Sequence, residues 1–404
     1  MFVILACKHC DKIINVGHIG QQQRALCPYC GSQLFSCRNN QQQWINAFSI
    51  ASLLFLFSSL YPSFISFSQH GLKQQISLWD AAMLLGDTYS TMLAFVFIFT
   101  ILLMPLAVCS LVLIAQSPLW RRLNPHNARW ISKSLSYIVP LNLADIFLVA
   151  VLVSAFKLMA YADLELGYGF WAYVLFVFCF IELLTLIDEN ELWQRQQPQF
   201  EPKTLFCGKS AKSQALKQCG VCGQLSSSTH CPRCYAKTYF RKPQANARAL
   251  AWMVTALVLM VPANLLPIMN TVNLGQNTFA TIFSGIVILW QDGSYPVAII
   301  IFVASICIPI IKALALFYLL IETQRCKRVE QASKLYRWLE WMGKWSMIDV
   351  FVVIILVSLV QLGTVLTVEP QIGIVFFAVM VLCQMMSVHS FDPRILWDRL
   401  TPHE

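Results

Sequence analysis

The 404-residue chain is poor in charged residues, and this absence excludes most classes of soluble protein. Asp, Glu, Lys and Arg together make up only 12% of the sequence, against about a quarter in an ordinary globular domain. Apolar side chains make up 57%, and the mean hydropathy is +0.60. We therefore expect an integral membrane protein, and we exclude a soluble enzyme, a secreted disulfide scaffold and a nucleic-acid-binding protein.

The sequence also lacks the common catalytic motifs. It contains no HExxH zinc-protease motif, no glycine-rich phosphate-binding loop and no GxSxG nucleophile motif. The polar segments between the apolar ones are too short for a nucleotide-binding domain. The first six residues cannot hold the charged and apolar regions of a signal peptide. We expect the chain to have no cleaved leader, and we do not expect it to be an enzyme.

Long apolar segments are what the chain has instead. A membrane-spanning helix needs about 20 predominantly apolar residues, and eight segments reach that length. Between them, residues 69–89 and 271–294 mix apolar and polar residues, and we expect interfacial or re-entrant stretches there that face the outside. The eight predicted spans are 44–67, 90–115, 137–160, 168–187, 248–269, 295–321, 346–365 and 371–390.

The basic residues predict the orientation of these spans. Lys and Arg are retained on the cytoplasmic side of a membrane. With the N-terminus inside, only Lys73 of the 29 basic residues lies outside, while Lys157 and Lys312 lie within predicted spans. We therefore expect both termini in the cytoplasm.

An internal duplication with a shift of 204 residues organises the chain. Residues 145–154 and 349–358 are identical at six of ten positions, and the same shift aligns Pro105 with Pro309. Each half contains an even number of predicted spans, so the two halves form a parallel repeat of the kind known in transporters.

The predicted fold is an all-α integral membrane protein. Its eight transmembrane helices form two parallel four-helix repeats, and a small cytoplasmic zinc ribbon precedes each repeat. The predicted domains are a first ribbon at 1–43, a first transmembrane half at 44–187, a linker with the second ribbon at 188–247, a second transmembrane half at 248–391 and a cytoplasmic tail at 392–404.

The two ribbons are predicted from cysteine spacing. Eight of the 15 cysteines lie in four CxxC pairs, and two such pairs supply the tetrahedral four-sulfur shell of structural zinc. A redox dithiol or a set of free cysteines is the alternative. We expect two structural Zn²⁺ ions. Their predicted ligands are Cys7, Cys10, Cys27 and Cys30 in the first ribbon and Cys219, Cys222, Cys231 and Cys234 in the second.

Ionisable side chains inside predicted spans are costly in lipid and mark candidate functional sites. Lys312 lies in the sixth span and Asp349 near the inner end of the seventh, where the two could pair. The acid could instead cap a helix N-terminus. The first half has Val108 at the position of Lys312. The other members of the predicted network are Ser305, Ser346 and Gln384, and secondary candidates in the first half are Asp145, Lys157 and Glu182.

Several motifs resemble the paraquat-inducible protein A family. They are the two CxxC ribbons, Trp345-Ser-Met-Ile-Asp-Val-Phe351, Asp292-Gly-Ser-Tyr-Pro296, Pro262-Ala-Asn-Leu-Leu-Pro-Ile268 and Ser390-Phe-Asp-Pro-Arg394. The resemblance covers nearly the whole chain. It implies an inner-membrane protein of Gram-negative bacteria that works with an MCE-domain partner, whose stacked rings form a tunnel for lipids across the periplasm. It also implies a polar intramembrane network at Ser305, Lys312, Ser346 and Asp349.

The function expected from these features is lipid trafficking. We expect the chain to load or extract phospholipid or another lipid at the inner membrane for the tunnel partner. Two alternatives remain at this point. One is a membrane-bound zinc or redox sensor that signals through its ribbons, and the other is a structural platform that seats the tunnel.

Overall fold

A computed structural model provides the structure of the chain. The residues that it describes are 3–16, 23–36, 40–69, 72–88, 91–117, 125–139, 142–158, 163–187, 193, 205–273, 276–291, 293, 295–325, 328–345, 351 and 366–398.

Most of the described chain is helical. Two π-helical segments, Phe99–Leu103 and Val303–Cys307, each continue directly from one α-helix into the next. In chain order the α-helices are α1 (Gln41–Leu60), α2 (Leu78–Thr88), α3 (Thr91–Ile98), α4 (Met104–Gln116), α5 (Pro125–Ile138), α6 (Ala144–Leu158), α7 (Tyr168–Leu186), α8 (Ala245–Leu265), α9 (Ile282–Gln291), α10 (Tyr295–Phe302), α11 (Ile308–Arg325), α12 (Val329–Trp345) and α13 (Ile372–Ser390).

Six helical segments among the described residues are long and apolar enough to span a membrane. They are α1, α7, α8 and α13, together with α4 and α11 when each is joined to the π-helical segment before it. The third predicted span contains α6, a shorter apolar helix. The seventh, at 346–365, lies outside the described residues except for Phe351.

Each π-helical segment ends next to a proline. The backbone N–H of Met104 donates to the carbonyl of Phe99, and that of Ile308 donates to Val303, which widens the helical ladder by one residue. Pro105 and Pro309 follow directly and lack an N–H, so the regular ladder is already interrupted there. Such bulges are frequent at functional sites.

Among the described residues, five small antiparallel sheets accompany the helices, so the prediction of an all-α chain is too narrow. Two sheets have three strands each, in the orders β6-β5-β7 and β11-β10-β12, and three are two-stranded. The strands are β1 (Val3–Ala6), β2 (Ile13–Val16), β3 (Arg24–Leu26), β4 (Gln33–Ser36), β5 (Ser63–Gln69), β6 (Leu72–Ser77), β7 (Asp163–Leu166), β8 (Lys217–Gln218), β9 (Leu225–Ser226), β10 (Met269–Asn273), β11 (Gln276–Ala280) and β12 (Leu366–Pro370).

The three-stranded sheets correct one sequence prediction. The first predicted span runs to residue 67, but α1 ends at Leu60 and β5 begins at Ser63. The sequence of β5, Ser-Phe-Ile-Ser-Phe-Ser-Gln, largely alternates polar and apolar residues, as a half-buried strand does. The stretches predicted to be interfacial at 69–89 and 271–294 are each mainly a strand followed by a short helix.

The described elements of the second half repeat the order and spacing of the first. The shift of 204 residues that aligns the sequences also carries Phe99–Leu103 onto Val303–Cys307 and Tyr168–Leu186 onto Ile372–Ser390. Phe147 and Phe351, which correspond under this shift, contact each other with ring centroids 5.9 Å apart. Residues from both halves belong to one continuous apolar core.

The first and last spanning helices of each half pack side by side. Helix α1 packs along α7, and α8 packs along α13. The buried face of α8 carries Ala249, Ala256 and Ala263 at intervals of seven residues, and small residues let helix backbones approach closely in a membrane. We call the end of this bundle next to residues 3–36 and 205–243 the ribbon side, and the end with the three-stranded sheets the sheet side.

Candidate metal centres and buried polar residues

All four CxxC segments form the same tight turn. In each, the residue after the second cysteine donates its backbone N–H to the carbonyl of the first cysteine, at 2.9 to 3.1 Å. That residue also has a positive φ angle, which an l-amino acid seldom adopts. The four residues are Asp11 (φ 62°), Gly31 (70°), Gly223 (72°) and Tyr235 (57°). The turn aims both thiols of a pair at one point.

The turns bring the eight predicted cysteines together as two clusters of four. Within each cluster the sulfur atoms all lie within 4.8 Å of one another. Short sulfur–sulfur distances are 3.5 Å for Cys7–Cys30 in the first cluster and 3.4 Å for both Cys219–Cys234 and Cys222–Cys231 in the second. A tetrahedral metal with sulfur ligands at about 2.3 Å places its ligands about 3.8 Å apart. The described cysteines form no disulfide, so each cluster fits a four-coordinate metal ion.

The thiols of a cluster also influence one another electrostatically. Hydrogen bonding to the sulfur of Cys219 raises the pKa of the Cys222 thiol, and the same contact lowers the pKa of Cys219. Four thiolates this close repel one another strongly, and a bound cation removes that repulsion. The donor set therefore suits a metal ion, and a saturated shell of four sulfurs leaves no open position for catalysis.

Each cysteine cluster docks on the half that does not follow it in sequence. Arg337 of α12 donates to the carbonyl of Cys30 at 2.7 Å, and Trp397 packs against the first cluster. On the other side, Trp193 is 1% exposed and belongs to the same buried cluster as the four cysteines of the second ribbon. The guanidinium of Arg129 in α5 lies 4.7 Å from the ring centre of Tyr235. Each ribbon thus docks on the half that follows the other ribbon in sequence, which we call the crossed arrangement.

An ion-pair cluster joins the first ribbon to the C-terminal segment. Arg241 bonds Asp11 at 2.9 Å and Asp398 at 3.0 Å, and Lys212 bonds Asp398 at 3.1 Å. Burial raises the pKa of Asp11, although Arg241 opposes this shift. Sequence analysis missed this cluster because its charged members lie in segments hundreds of residues apart.

Asp392 is a second buried acid in the C-terminal segment. It accepts hydrogen bonds from the side chain of Arg394 at 2.9 Å and from the backbone N–H of Lys242 at 3.0 Å. Burial favours the protonated acid, but the bonds and charge of Arg394 outweigh it and lower the pKa of Asp392. The carboxylate fixes the turn that ends α13 against the start of α8.

Part of the predicted polar network lies where α11 packs against α13. Ser305, Pro309 and Lys312 are buried and spaced four and three residues apart, which places them on one helix face. Gln384 of α13 is 1% exposed, and its Nε2 donates to the carbonyl of Pro309 at 3.3 Å. Its Oε1 is buried without a hydrogen-bond partner among the described residues. Ser346 and Asp349 lie outside the described residues.

The structure describes the side chains of two of the three secondary candidates in the first half. Asp145 lies in the first turn of α6 and is half-buried, but the side chain that caps this helix is Asn142, whose Oδ1 accepts from the backbone of Ala144 at 3.0 Å. Glu182 is half-buried near the end of α7. Lys157 lies in α6, but its side chain is outside the described part of the chain.

The model of one protein family matches the chain twice. The family is described as Paraquat-inducible protein A, and the match covers residues 42–197 and again residues 247–401. The chain belongs to the paraquat-inducible protein A family. The resemblance inferred from the sequence motifs is thereby confirmed, and with six apolar helices among the described residues the chain is a multi-pass membrane protein.

Named relatives extend over nearly the full length of the chain. Intermembrane transport protein PqiA of Escherichia coli (strain K12) is 34% identical over 98% of this chain and 95% of its own length. A protein called Probable intermembrane transport protein, from Haemophilus influenzae, is 28% identical over 98% of the chain and 96% of its own length. Lipophilic envelope-spanning tunnel protein A of Escherichia coli is 27% identical over 97% of the chain and 90% of its own length. No solved structure matches the chain.

Proposed function

We propose that this protein transports lipid between membranes of the cell envelope and has no catalytic activity of its own. The observation that carries this proposal is membership of one family along the whole chain, with relatives named for intermembrane transport and for a lipophilic envelope-spanning tunnel. In the finer form of the proposal, the chain loads or extracts lipid at the inner membrane of a Gram-negative bacterium for an MCE-domain tunnel partner that spans the periplasm.

The proposed architecture has eight transmembrane helices in two parallel repeats, with domains at 1–43, 44–187, 188–247, 248–391 and 392–404. The equal spacing of the described elements supports it, as does the double match to one family model. We place both termini and both ribbons in the cytoplasm because the ribbon side carries most of the basic residues. Fluorescent-protein fusions at residues 40 and 404 should fluoresce, and alkaline phosphatase fusions at the same positions should be inactive.

We further propose that each cysteine cluster holds one structural Zn²⁺. Elemental analysis of the purified protein should then find about two zinc ions per chain, and Cys231→Ser should remove one of them. Cys207→Ser is the matched control, because Cys207 is an exposed cysteine outside both clusters. A different metal, or no metal, in the wild-type protein would refute the zinc assignment.

The transport step is assigned to the buried polar residues of the second half. In this proposal Lys312 pairs with Asp349, and Ser305, Ser346 and Gln384 surround the pair. The support is that Lys312 is 2% exposed within an apolar spanning helix, three residues after Pro309, whose carbonyl accepts from the buried amide of Gln384. A lysine at this depth is costly unless it has a function or a partner.

Complementation of a strain that lacks this protein and its paralogues tests the assignment. Lys312→Ala and Asp349→Ala should each abolish growth rescue while membrane levels stay unchanged, and Val108→Ala at the equivalent position of the first half should not. The double variant Lys312→Met/Asp349→Leu distinguishes transport from a platform role, since two apolar residues remove the penalty of one stranded charge. Rescue by the double variant would refute the transport role of the pair.

A further inference from the structure

Two helices on the ribbon side have a polar-apolar pattern unlike that of the spanning helices. Helix α5 follows the spanning helix α4, and α12 follows the spanning helix α11. Both belong to the described part of the chain, and neither is among its spanning segments. Their apolar residues are concentrated on one side, as expected for helices that lie along a surface.

One face of each helix is buried against the rest of the protein. In α12, Val329, Ala332, Tyr336 and Leu339 belong to a buried apolar cluster, and the neighbouring Arg337 contacts the first ribbon. In α5, Ile131, Ser132 and Leu135 are buried, and Arg129 contacts the second ribbon. Both helices therefore have a fixed orientation, which leaves one face exposed.

The exposed faces combine aromatic and basic side chains. In α12, Trp338 is 41% and Trp341 is 60% exposed, and Lys334 lies beside them on the same face. The acid Glu340 comes two residues after Trp338, which places it about 200° around the helix and off this face. Glu330 is in the first turn, where an acid suits the helix dipole.

Helix α5 presents the same combination at the equivalent position. Trp130 is 62% and Tyr137 is 57% exposed, and Lys133 is exposed between them. Under the 204-residue shift, however, Trp130 corresponds to Lys334, and Trp338 corresponds to Ser134. Both faces thus hold two aromatic residues and one lysine, but in a different order.

The different order favours a lipid surface over a protein partner. A protein partner fits individual side chains at fixed positions, so its contacts would be disrupted when lysine stands for tryptophan at one equivalent position and tryptophan for serine at another. A bilayer interface requires only amphipathic aromatic rings at headgroup depth and cations close to anionic phosphates. The faces also lie on the side of the bundle where the spanning helices α4 and α11 end.

We propose that the exposed faces of α5 and α12 bind the lipid headgroup layer of the leaflet on the ribbon side. The four aromatic rings lie among the headgroups, and Lys133 and Lys334 attract anionic lipid. This site is independent of the proposed transport function, because it requires only that the chain is embedded in a membrane. The docked helices, which contact the ribbons through Arg337 and Arg129, would fix the orientation of both ribbons relative to the membrane.

Photo-crosslinking in vesicles tests the proposal on the full chain. Benzoylphenylalanine replaces Trp338 or Trp130, and the protein is reconstituted in phosphatidylcholine alone or in phosphatidylcholine with phosphatidylglycerol. Mass spectrometry should find lipid adducts at both sites after illumination. The matched control is benzoylphenylalanine at Tyr239, which is 47% exposed on the second ribbon and should form few lipid adducts.

The charge contribution has its own readout. Lys334→Gln in the Trp338-substituted protein should reduce phosphatidylglycerol adducts about fivefold and leave phosphatidylcholine adducts unchanged, since one basic residue near an anionic surface contributes about 1 kcal/mol. Trp338 and Trp130 are replaced in separate proteins. If one of these proteins folds poorly, the other still tests the proposal. Absence of lipid adducts at both sites, equal adducts at Tyr239, or crosslinks to a discrete protein in native membranes would overturn the proposal.

Discussion

Gly373 lies at the start of α13, where two backbone segments come unusually close. A Cβ atom at this position would collide with the carbonyl oxygens of Pro267 and Leu266, the latter at 2.8 Å. The backbone N–H of Gly373 also donates to the carbonyl of Pro267 at 3.1 Å. Gly373→Ala should therefore lower the free energy of unfolding by about 2 kcal/mol, because two backbones must separate. Thermal unfolding of the detergent-solubilised protein measures the loss.

Gly285 in α9 is the matched control for this substitution. A Cβ atom there meets no other atom within 4 Å, and alanine is favoured over glycine inside a helix by about 0.5 to 1 kcal/mol. Gly285→Ala should thus leave the melting temperature unchanged or raise it slightly. An equal loss of stability in both variants would show that the close approach at Gly373 is not the cause.

Arg241 is the residue that neutralises two acids at the junction of the ribbons. The side chains of Arg241 and Asp11 are 13% and 3% exposed, whereas the side chain of Lys212 is 49% exposed. Arg241→Met should destabilise the protein by about 3 kcal/mol, because it leaves two partly buried carboxylates without their main partner. Lys212→Met removes only an exposed ion pair and should cost less than about 1 kcal/mol.

The two variants are compared by chemical unfolding at neutral pH and at low salt. The Arg241→Met variant should also become less destabilised relative to wild type when the pH is lowered, because protonation of Asp11 removes the stranded charge. An Arg241→Met variant that is as stable as Lys212→Met would show that the cluster does not hold the ribbons together.

At the scale of elements, a tryptophan at the end of each half covers the ribbon that docks there. Trp397 packs against the first cysteine cluster and donates its Nε1 to Ser333 at 2.9 Å. Trp193 packs against the second cluster. Trp397→Ala should expose the first ribbon, and Trp193→Ala should expose the second. When a chelator and a thiol reagent are added, the cysteines of the affected ribbon should be labelled at least about tenfold faster than in wild type. The reason is that truncating a buried tryptophan lowers the stability of its surroundings by about 3 kcal/mol or more.

Mass spectrometry of the labelled cysteines shows which of the two ribbons is labelled faster in each variant. In each variant the other ribbon serves as the internal control. Faster labelling of the second ribbon in Trp397→Ala, or of both ribbons equally in either variant, would contradict the crossed arrangement.

Local patterns predicted the elements of this fold well. The CxxC spacing predicted both cysteine clusters, and the apolar segments predicted the six described spanning helices, because both signals lie within short stretches of sequence. The strand Ser63–Gln69 was missed because its apolar residues continue those of α1, and hydropathy counts both alike. The spacing of apolar residues changes from helical to strand-like at this point, and that change was the signal that could have separated the strand from α1.

Contacts between distant segments were beyond prediction from a single sequence. The pairing of Arg241 with Asp11 and the docking of Arg337 on Cys30 join residues 230 and 307 positions apart. Charge and hydropathy do not specify which distant groups meet. The duplication predicted that the halves share a fold, but it did not predict that each ribbon docks on the opposite half.

At the scale of the whole molecule, equivalent residues of the two halves meet at the centre. Phe147 and Phe351 are each 1% exposed, and their rings meet edge to face at 84°. An approximate two-fold axis between the halves would bring equivalent residues into contact in this way, as in a symmetric dimer, and we infer such an axis here. The halves are therefore expected to be coupled energetically through this pair, in addition to the chain that connects them.

A double-mutant cycle measures that coupling. Phe147→Ala and Phe351→Ala should each lower the unfolding free energy by about 3 kcal/mol or more, and the double variant should lose about 1 kcal/mol less than the sum, since an edge-to-face pair contributes about that much beyond burial. Phe391 belongs to a separate apolar cluster, so Phe147→Ala combined with Phe391→Ala should be additive within about 0.5 kcal/mol. Unfolding in detergent micelles with rising SDS gives the four energies of each cycle. Additive losses in the Phe147–Phe351 cycle would mean that the halves fold and pack without mutual support at the proposed axis.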